Sequence, residues 1–133
     1  MDNNMEINSK KIELFKNISQ FDLDNIYYDF HNDFECIKIT LESNFLLLLF
    51  RKIIEEYIIS FKFDNTILAM FEFTDFSEFK NLTIDNIYRG RFEKNGQLIE
   101  FSSDGKSFFY LEFTESIKME LWCENIVIEK IEI

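Results

Sequence analysis

The chain contains no proline, and its three glycines, Gly90, Gly96 and Gly105, are isolated from one another. A phosphate-binding loop of the P-loop or Gly-x-Gly-x-x-Gly type needs clustered glycines, so a nucleotide-dependent enzyme is disfavoured. The 133 residues also lack a low-complexity linker and an internal repeat, and their number fits one domain. We therefore predict a single domain over residues 1–133.

Cysteine is scarce as well, because Cys36 and Cys123 are the only two and neither has a Cys-x-x-Cys or Cys/His spacing. Both lie in apolar, strand-like segments, which is typical of buried structural thiols in a reducing compartment. The serines lack the Gly-x-Ser-x-Gly elbow of a hydrolase. We predict no catalytic residue, no cofactor and no enzymatic activity.

Long apolar segments are missing too. The N-terminal sequence MDNNMEINSKK has no apolar stretch of the kind that forms a signal peptide. The longest apolar run, FLLLLF at residues 45–50, is too short to cross a bilayer. We therefore expect a cytoplasmic protein without membrane contact.

Positive charge is in deficit, since 25 acidic residues and 14 basic ones give a net charge of −11 at pH 7. A field of this sign repels nucleic acid and anionic lipid and attracts basic proteins. The excess is concentrated at both ends, where residues 1–33 and 101–133 each contain seven acidic and three basic residues. The ends either form one acidic face or carry dispersed solvating charges, and both interpretations stay open. We expect a basic protein partner and no direct binding of nucleic acid.

Alternation of apolar and polar residues is abundant. The stretch ECIKITLE sets Ile37, Ile39 and Leu41 on one face, and Asn95-Gly96 is a strong signal for a hairpin turn between two further alternating runs. This pattern predicts a mainly β fold, in the form of an antiparallel meander, a sandwich or a partly open barrel.

Two segments show helical spacing instead. Residues 9–19 place Ile12, Phe15 and Ile18 at intervals of three, which predicts a short N-terminal helix. The apolar residues of 45–59 fit both a period of two and the i, i+3, i+4, i+7 pattern of a helix. An α+β fold with a helix across 45–59 packed on an antiparallel sheet is therefore the alternative.

The stretch YYDFHND, residues 27–33, contains the only histidine, His31, with Asp29 and Asp33 on either side. In an extended segment these three side chains project to one side, where they can bind a divalent cation or share a proton. No second histidine is present to complete a ligand set, and Asn and Asp also organise turns that precede strands. We interpret the stretch as the polar start of a strand. A small β-barrel domain that binds a ligand or depends on a metal, centred on Asp29 and His31, is an alternative.

Aromatic residues framed by acidic ones are the candidates for partner recognition. Trp122 shares the polar side of its strand with Glu120, unless both faces of the sheet are covered and Trp122 is part of the core. Tyr110 shares a side with Glu112, and the tyrosines of YYDFHND lie beside several aspartates. The predicted partner-binding residues are Asp22, Asp24, Tyr27, Tyr28, Asp29, Asp33, Tyr110, Glu112, Glu120 and Trp122.

The runs DFHNDFECIKITLESNFLLLLF and YIISFKFDNTILAMFEF, which lie between residues 29 and 73, resemble a class of small bacterial β-rich domains. In that class a Phe-His-Asp type motif opens a strand, and some members resemble immunity proteins of polymorphic toxin systems. Here Asn32 follows His31 and the aspartate comes one place later, so the motif is incomplete. The resemblance implies a protein that neutralises a toxin by binding it and has no catalytic activity.

Charge and resemblance together lead us to expect an acidic inhibitor of the immunity type, monomeric or homodimeric, that neutralises a basic, nuclease-like toxin. Its acidic side chains would occupy the site where a nuclease binds phosphates. A phage-encoded inhibitor of a host defence nuclease would use the same electrostatics and is the alternative.

Overall fold

Strands make up most of the molecule. A computed structural model describes residues 4–23, 25–54, 57–73, 82–114 and 117–132. The described strands are β1 Asn4–Asn8, β2 Gln20–Leu23, β3 Ile26–Asp29, β4 Phe34–Leu41, β5 Phe45–Lys52, β6 Tyr57–Phe73, β7 Ile84–Gly90, β8 Phe92–Lys94, β9 Gln97–Ile99, β10 Ser107–Phe113 and β11 Ile117–Glu132. The predicted mainly β fold is confirmed, in the form of an antiparallel sheet that is curled into a half barrel.

The strands follow one another across this sheet in the order β4-β5-β6-β11-β10-β7, and β1 also pairs with β11. The long strands β6 and β11 pair along almost their whole lengths. On the other edge of β11, β10 pairs with residues 117–123 and β1 pairs with residues 125–129. The short hairpins β2-β3 and β8-β9 form separate two-stranded sheets.

The outer edge of β4 is bonded to the segment that leads into β7. The amide of Cys36 in β4 donates to the carbonyl of Leu82 at 2.7 Å, and the amide of Leu82 donates back at 3.4 Å. The segment between β1 and β2 runs along the outer edge of β7, where the amide of Ile18 donates to the carbonyl of Ile87 at 2.7 Å. These bonds satisfy backbone groups that a free sheet edge would expose.

Phenylalanine fills the inner side of the sheet. Phe30 is fully buried, and its ring centroid lies 4.8–5.1 Å from those of Phe34, Phe50 and Phe61. Tilted and edge-on ring contacts of this kind are favourable beyond the apolar area that they bury. The YYDFHND stretch therefore contributes Phe30 to the core while it crosses from β3 to β4.

The predicted N-terminal helix is wrong. Only Ser9–Lys11 forms a 3-10 turn, capped by the Asn8 side chain, which accepts from the Lys10 amide at 3.0 Å. Beyond this turn, backbone amides donate across to β7 instead of to carbonyls four residues back. The spacing of Ile12 and Ile18 reflects their packing against the core and not a helical face.

The alternative helix across 45–59 is also wrong, because residues 45–52 form β5 and β6 begins at Tyr57. Leu46, Leu48 and Phe50 are buried at a period of two. A leucine-rich run fits either period, and the strand is favoured here since β4 and β6 pair with both of its edges. Among the residues described above, no helix has the length and apolar character needed to cross a membrane.

Candidate functional site

The outer side of the sheet carries a continuous row of aromatic rings. In β11 the side chains of Met119, Leu121 and Cys123 are buried, whereas Glu120 and Trp122 lie on the opposite, outward side. Neighbouring rings of the row have centroids 4.9–6.3 Å apart. In order, this aromatic row consists of Phe15, Tyr88, Tyr110, Phe108, Trp122 and Phe92.

Strand register brings the row together. Tyr110 lies opposite Tyr88 on β7 and opposite Glu120 on β11. The ring of Tyr110 rests on Gly90, because a Cβ added at Gly90 would lie 2.9 Å from ring carbon Cε2. Glycine at this position therefore leaves the ring room to lie against the strand.

A groove of about 390 Å³ opens beside the tyrosines. Its walls come from four strands, through Met70 and Glu72 of β6, Asn86 and Tyr88 of β7, Tyr110 and Glu112 of β10, and Lys118 and Glu120 of β11. Three of these side chains are carboxylates and one is an ammonium, so this acidic groove has a net negative charge. Such a groove favours a cationic group.

Glu112 and Glu120, two carboxylates of the acidic groove, differ in the hydrogen bonds and ion pairs that they make. Glu112 accepts a hydrogen bond from Asn86 Nδ2 at 3.2 Å, and its Oε2 lies 3.8 Å from Lys118 Nζ. The half-buried Glu120 makes no hydrogen bond or ion pair with any residue that the structure describes. Burial raises the pKa of the two groove tyrosines, and nearby glutamates raise it further. The negative charges of the glutamates therefore lie close enough to the two tyrosine hydroxyl groups to oppose their ionisation.

Four predicted partner-binding residues lie on this surface. Tyr110, Glu112 and Glu120 line the acidic groove. Trp122 lies in the aromatic row, with its ring centroid 5.7 Å from that of Phe92. Trp122 is thus on the outer face and not in the inner core, although Phe92 packs on it.

Tyr88 was not among the predicted residues. It lies opposite Tyr110 because β7 pairs with β10, although the β8-β9 hairpin separates these two strands along the chain. Alternation did not single it out, because Arg89 is charged and yet is buried together with Ile87. Only that burial places Tyr88 on the outward side.

The two tyrosines of the YYDFHND stretch, which were predicted to bind a partner together with the aspartates around them, lie on opposite sides of β3. Asp22 pairs with Tyr27 across the β2-β3 hairpin, and Tyr27 is 59% exposed. Tyr28 is only 4% exposed, with its ring stacked on Phe30 at 6.0 Å. Tyr28 therefore belongs to the core, which corrects its prediction as a partner-binding residue, because adjacent strand residues point to opposite faces. Asp24 lies outside the described residues.

Asp29 organises the turn between β3 and β4. Its Oδ1 accepts from the amides of His31 at 3.1 Å and Asn32 at 3.0 Å, and its Oδ2 accepts from Asn32 Nδ2 at 2.7 Å and Gln20 Nε2 at 3.4 Å. Burial by itself raises the pKa of Asp29, but these hydrogen bonds together outweigh burial and lower the pKa. Asp33 is exposed, and its hydrogen bonds to other described residues involve only its backbone.

His31 fastens the same stretch to the start of β7. Its Nδ1 donates to the carbonyl oxygen of Ile84 at 2.8 Å and lies 3.2 Å from Asp85 Oδ1. Because a carbonyl oxygen only accepts, Nδ1 carries the proton. Asp29 and His31 thus face different partners, and in the described part of the chain no group of three or more His, Cys, Asp or Glu side chains is placed to hold a metal ion. Strand β4 begins directly after the stretch, as its interpretation as a strand start predicted.

Both cysteines are free thiols that are buried in the sheet, as predicted. Burial raises the pKa of Cys36 to about 12 and raises that of Cys123 as well. The thiolate is the reactive form of cysteine, and these thiols stay protonated near neutral pH. Neither is therefore suited to act as a nucleophile.

Comparison of the chain with models of protein families, with curated proteins and with solved structures gives no match. A function therefore has to be inferred from the aromatic row and the acidic groove. They combine rings held on paired strands with one carboxylate, that of Glu120, which has no cationic partner among the described residues.

Proposed function

We propose that the protein is an acidic inhibitor that binds a basic protein partner through the aromatic row and the adjoining acidic groove. The partner that fits best is a nuclease-like toxin, so the protein would act in the cytoplasm as an immunity-type protein without catalytic activity of its own. The observation that carries this proposal is Glu120, a half-buried carboxylate with no partner among the described residues, which lies beside Tyr110 and Trp122.

Electrostatics support a basic partner. The net charge of −11 attracts a cationic protein over a distance and repels nucleic acid. A nuclease has a cationic surface where it holds the phosphate backbone of its substrate. Carboxylates such as Glu112 and Glu120 can occupy that surface and exclude the substrate.

The aromatic row supports recognition of a protein. Tyr and Trp are enriched in the centres of protein interfaces, where a few buried anchors carry most of the binding energy. Tyr88, Tyr110 and Trp122 sit on paired strands, so little conformational entropy is lost when a partner covers them. Rings at the centre with carboxylates around them match the usual anatomy of such an interface.

The test begins with the tagged protein as bait in an extract of its host. The captured protein is purified, and its affinity for the inhibitor and its enzymatic activity are then measured. We expect a basic nuclease that loses activity when it binds, and whose affinity weakens as salt is raised, because charge contributes to the complex. A nuclease encoded beside the inhibitor gene identifies a toxin, and a nuclease of host defence identifies the phage alternative. Full nuclease activity in a saturated complex would contradict inhibition.

Two double variants of equal net charge separate the acidic groove from general acidity. Glu112→Gln with Glu120→Gln changes the groove, and Glu42→Gln with Glu129→Gln removes two exposed carboxylates elsewhere. We expect the groove variant to bind the partner about tenfold more weakly and the control to stay within about twofold of the wild type. Equal losses in both variants would mean that only overall charge matters.

A further inference from the structure

The acidic groove has the composition of a cation site. The ring centroids of Tyr88 and Tyr110 are 5.2 Å apart with 31° between the ring planes, so the two rings form a bent aromatic wall. Glu120 lies next to this wall, and Glu72 lies on the β6 side of the groove. A cation placed here meets ring faces and carboxylates together, and both attract it.

Glu120 indicates that the acidic groove is suited to bind a cationic donor. Glu120 is half-buried, so it has lost part of its hydration without gaining a donor from any described residue. A charge in this position is stabilised when a cationic donor arrives and water leaves. The native ammonium at the groove, Lys118, lies 3.8 Å from Glu112 and makes no ion pair with Glu120.

We propose that this groove receives an arginine side chain of the basic partner, inserted between the tyrosine wall and Glu120. The inference rests on the proposed function, because it names the group by which that partner is recognised. A groove of about 390 Å³ has room for one long side chain.

Arginine fits the groove better than lysine does. A guanidinium is planar, stacks on aromatic faces and is weakly hydrated, whereas an ammonium is compact and holds its water strongly. The forked N–H groups of a guanidinium can bond to two acceptor oxygens at once, and Glu112 Oε2 is only loosely paired, at 3.8 Å from Lys118 Nζ. A lysine would satisfy one carboxylate and gain less from the rings.

Two capped peptides test the inference on the isolated protein. Acetyl-Arg-Arg-Arg-amide and acetyl-Lys-Lys-Lys-amide have equal charge, so general attraction is the same for both during NMR titrations at low salt. We expect the arginine peptide to bind about tenfold more tightly and to shift the signals of Tyr88, Tyr110 and Glu120. Equal affinities, no binding of the arginine peptide, or shifts confined to another surface would overturn the inference.

Matched variants locate the preference in the groove. Glu120→Gln keeps the side-chain shape and removes the charge, Tyr88→Leu removes one ring, and Glu42→Gln removes an exposed carboxylate elsewhere. Circular dichroism verifies that each variant is folded. In both groove variants the arginine and lysine peptides should bind with nearly equal affinity. In Glu42→Gln the arginine peptide should keep the same advantage in affinity as in the wild type. A preference that survives in both groove variants would overturn the inference.

The two proposals fail in different ways. If the peptides show no arginine preference but the captured nuclease is still inhibited through the outer face, the proposed function stands and only the arginine contact is lost. If the arginine peptide binds in the groove but the captured protein is not inhibited, the cation site stands and the inhibitor function is lost.

Discussion

Replacement of Asp29 by alanine should destabilise the protein, although this residue is only half-buried at the end of β3. The carboxylate of Asp29 accepts hydrogen bonds from the amides of His31 and Asn32 and from two side-chain amides. These bonds hold the link between β3 and β4 in place. Alanine removes the acceptor and leaves two backbone amides without this partner.

The expected loss in the free energy of unfolding is about 2 kcal/mol. Removal of a side chain that caps backbone amides costs about 0.5–2 kcal/mol, and a hydrogen bond to a charged group contributes about 1.5–3 kcal/mol. Water can replace part of these bonds, so their contributions do not add in full. For a chain of this length the loss corresponds to a fall of roughly 6–12 °C in Tm.

The loss should also depend on pH. The pKa of Asp29 lies below its ordinary value of 3.8 in the folded protein, since its hydrogen bonds together outweigh the opposing effect of burial. The folded state therefore binds this proton less readily than the unfolded chain does. The stabilisation is complete above the unfolded pKa and is lost as pH falls through the lowered folded pKa. The difference between wild type and Asp29→Ala should narrow in acid.

Urea unfolding, followed by Trp122 fluorescence and circular dichroism, measures this loss. Asp33→Ala is the matched control, because Asp33 is exposed in the same stretch and its carboxylate bonds to no described residue. We expect the control to differ from wild type by less than about 0.5 kcal/mol. Equal stabilities of Asp29→Ala and Asp33→Ala, or a difference that is the same at every pH, would refute the reasoning.

Three further substitutions test other contacts. Gly90→Ala should displace the Tyr110 ring, which would lie 2.9 Å from the new Cβ, and cost about 1–3 kcal/mol in urea unfolding. An unchanged stability would mean that the ring is not held there. His31→Ala should cost about 1 kcal/mol because the Ile84 carbonyl loses its donor, and equal Tm values would contradict this. Burial raises the pKa of Cys36 from 9.0 to about 12, so the folded state keeps a proton that the unfolded chain releases. The contribution of Cys36 to the free energy of unfolding should therefore fall by up to about 1.4 kcal/mol per pH unit between about pH 9 and 12. Cys36→Ala should flatten that slope, and identical slopes in the two proteins would contradict the burial of the thiol.

Alternation along single strands was sufficient to predict the fold class and part of the candidate surface. Side chains alternate with a period of two whatever a strand pairs with, so Glu120 and Trp122 were predictably on one side of β11. The same rule predicted a shared side for Tyr110 and Glu112. It does not reveal which strands become neighbours, and Tyr88 was missed for that reason.

Backbone pairing between segments that are distant in sequence explains the remaining differences between the predicted and the observed structure. The spacing of Ile12 and Ile18 resembles a helix, yet the segment between them is bonded to β7, a strand that is distant in sequence. In β4 the register shifts between Cys36 and Lys38, and Ile37 is consequently 39% exposed although its pattern predicts an apolar face. The acidic groove is lined by residues of four strands, and no single stretch of sequence shows that these four strands lie side by side.

The binding surface can be tested most directly through Trp122, the only tryptophan in the chain. Incorporation of 5-fluorotryptophan places a single fluorine on the outer face, and its resonance reports on this protein alone when the purified partner is added. The proposed interface predicts that the resonance of Trp122 shifts in proportion to complex formation, which size-exclusion chromatography measures independently. A saturated complex in which the Trp122 resonance stays unchanged would contradict binding through the aromatic row.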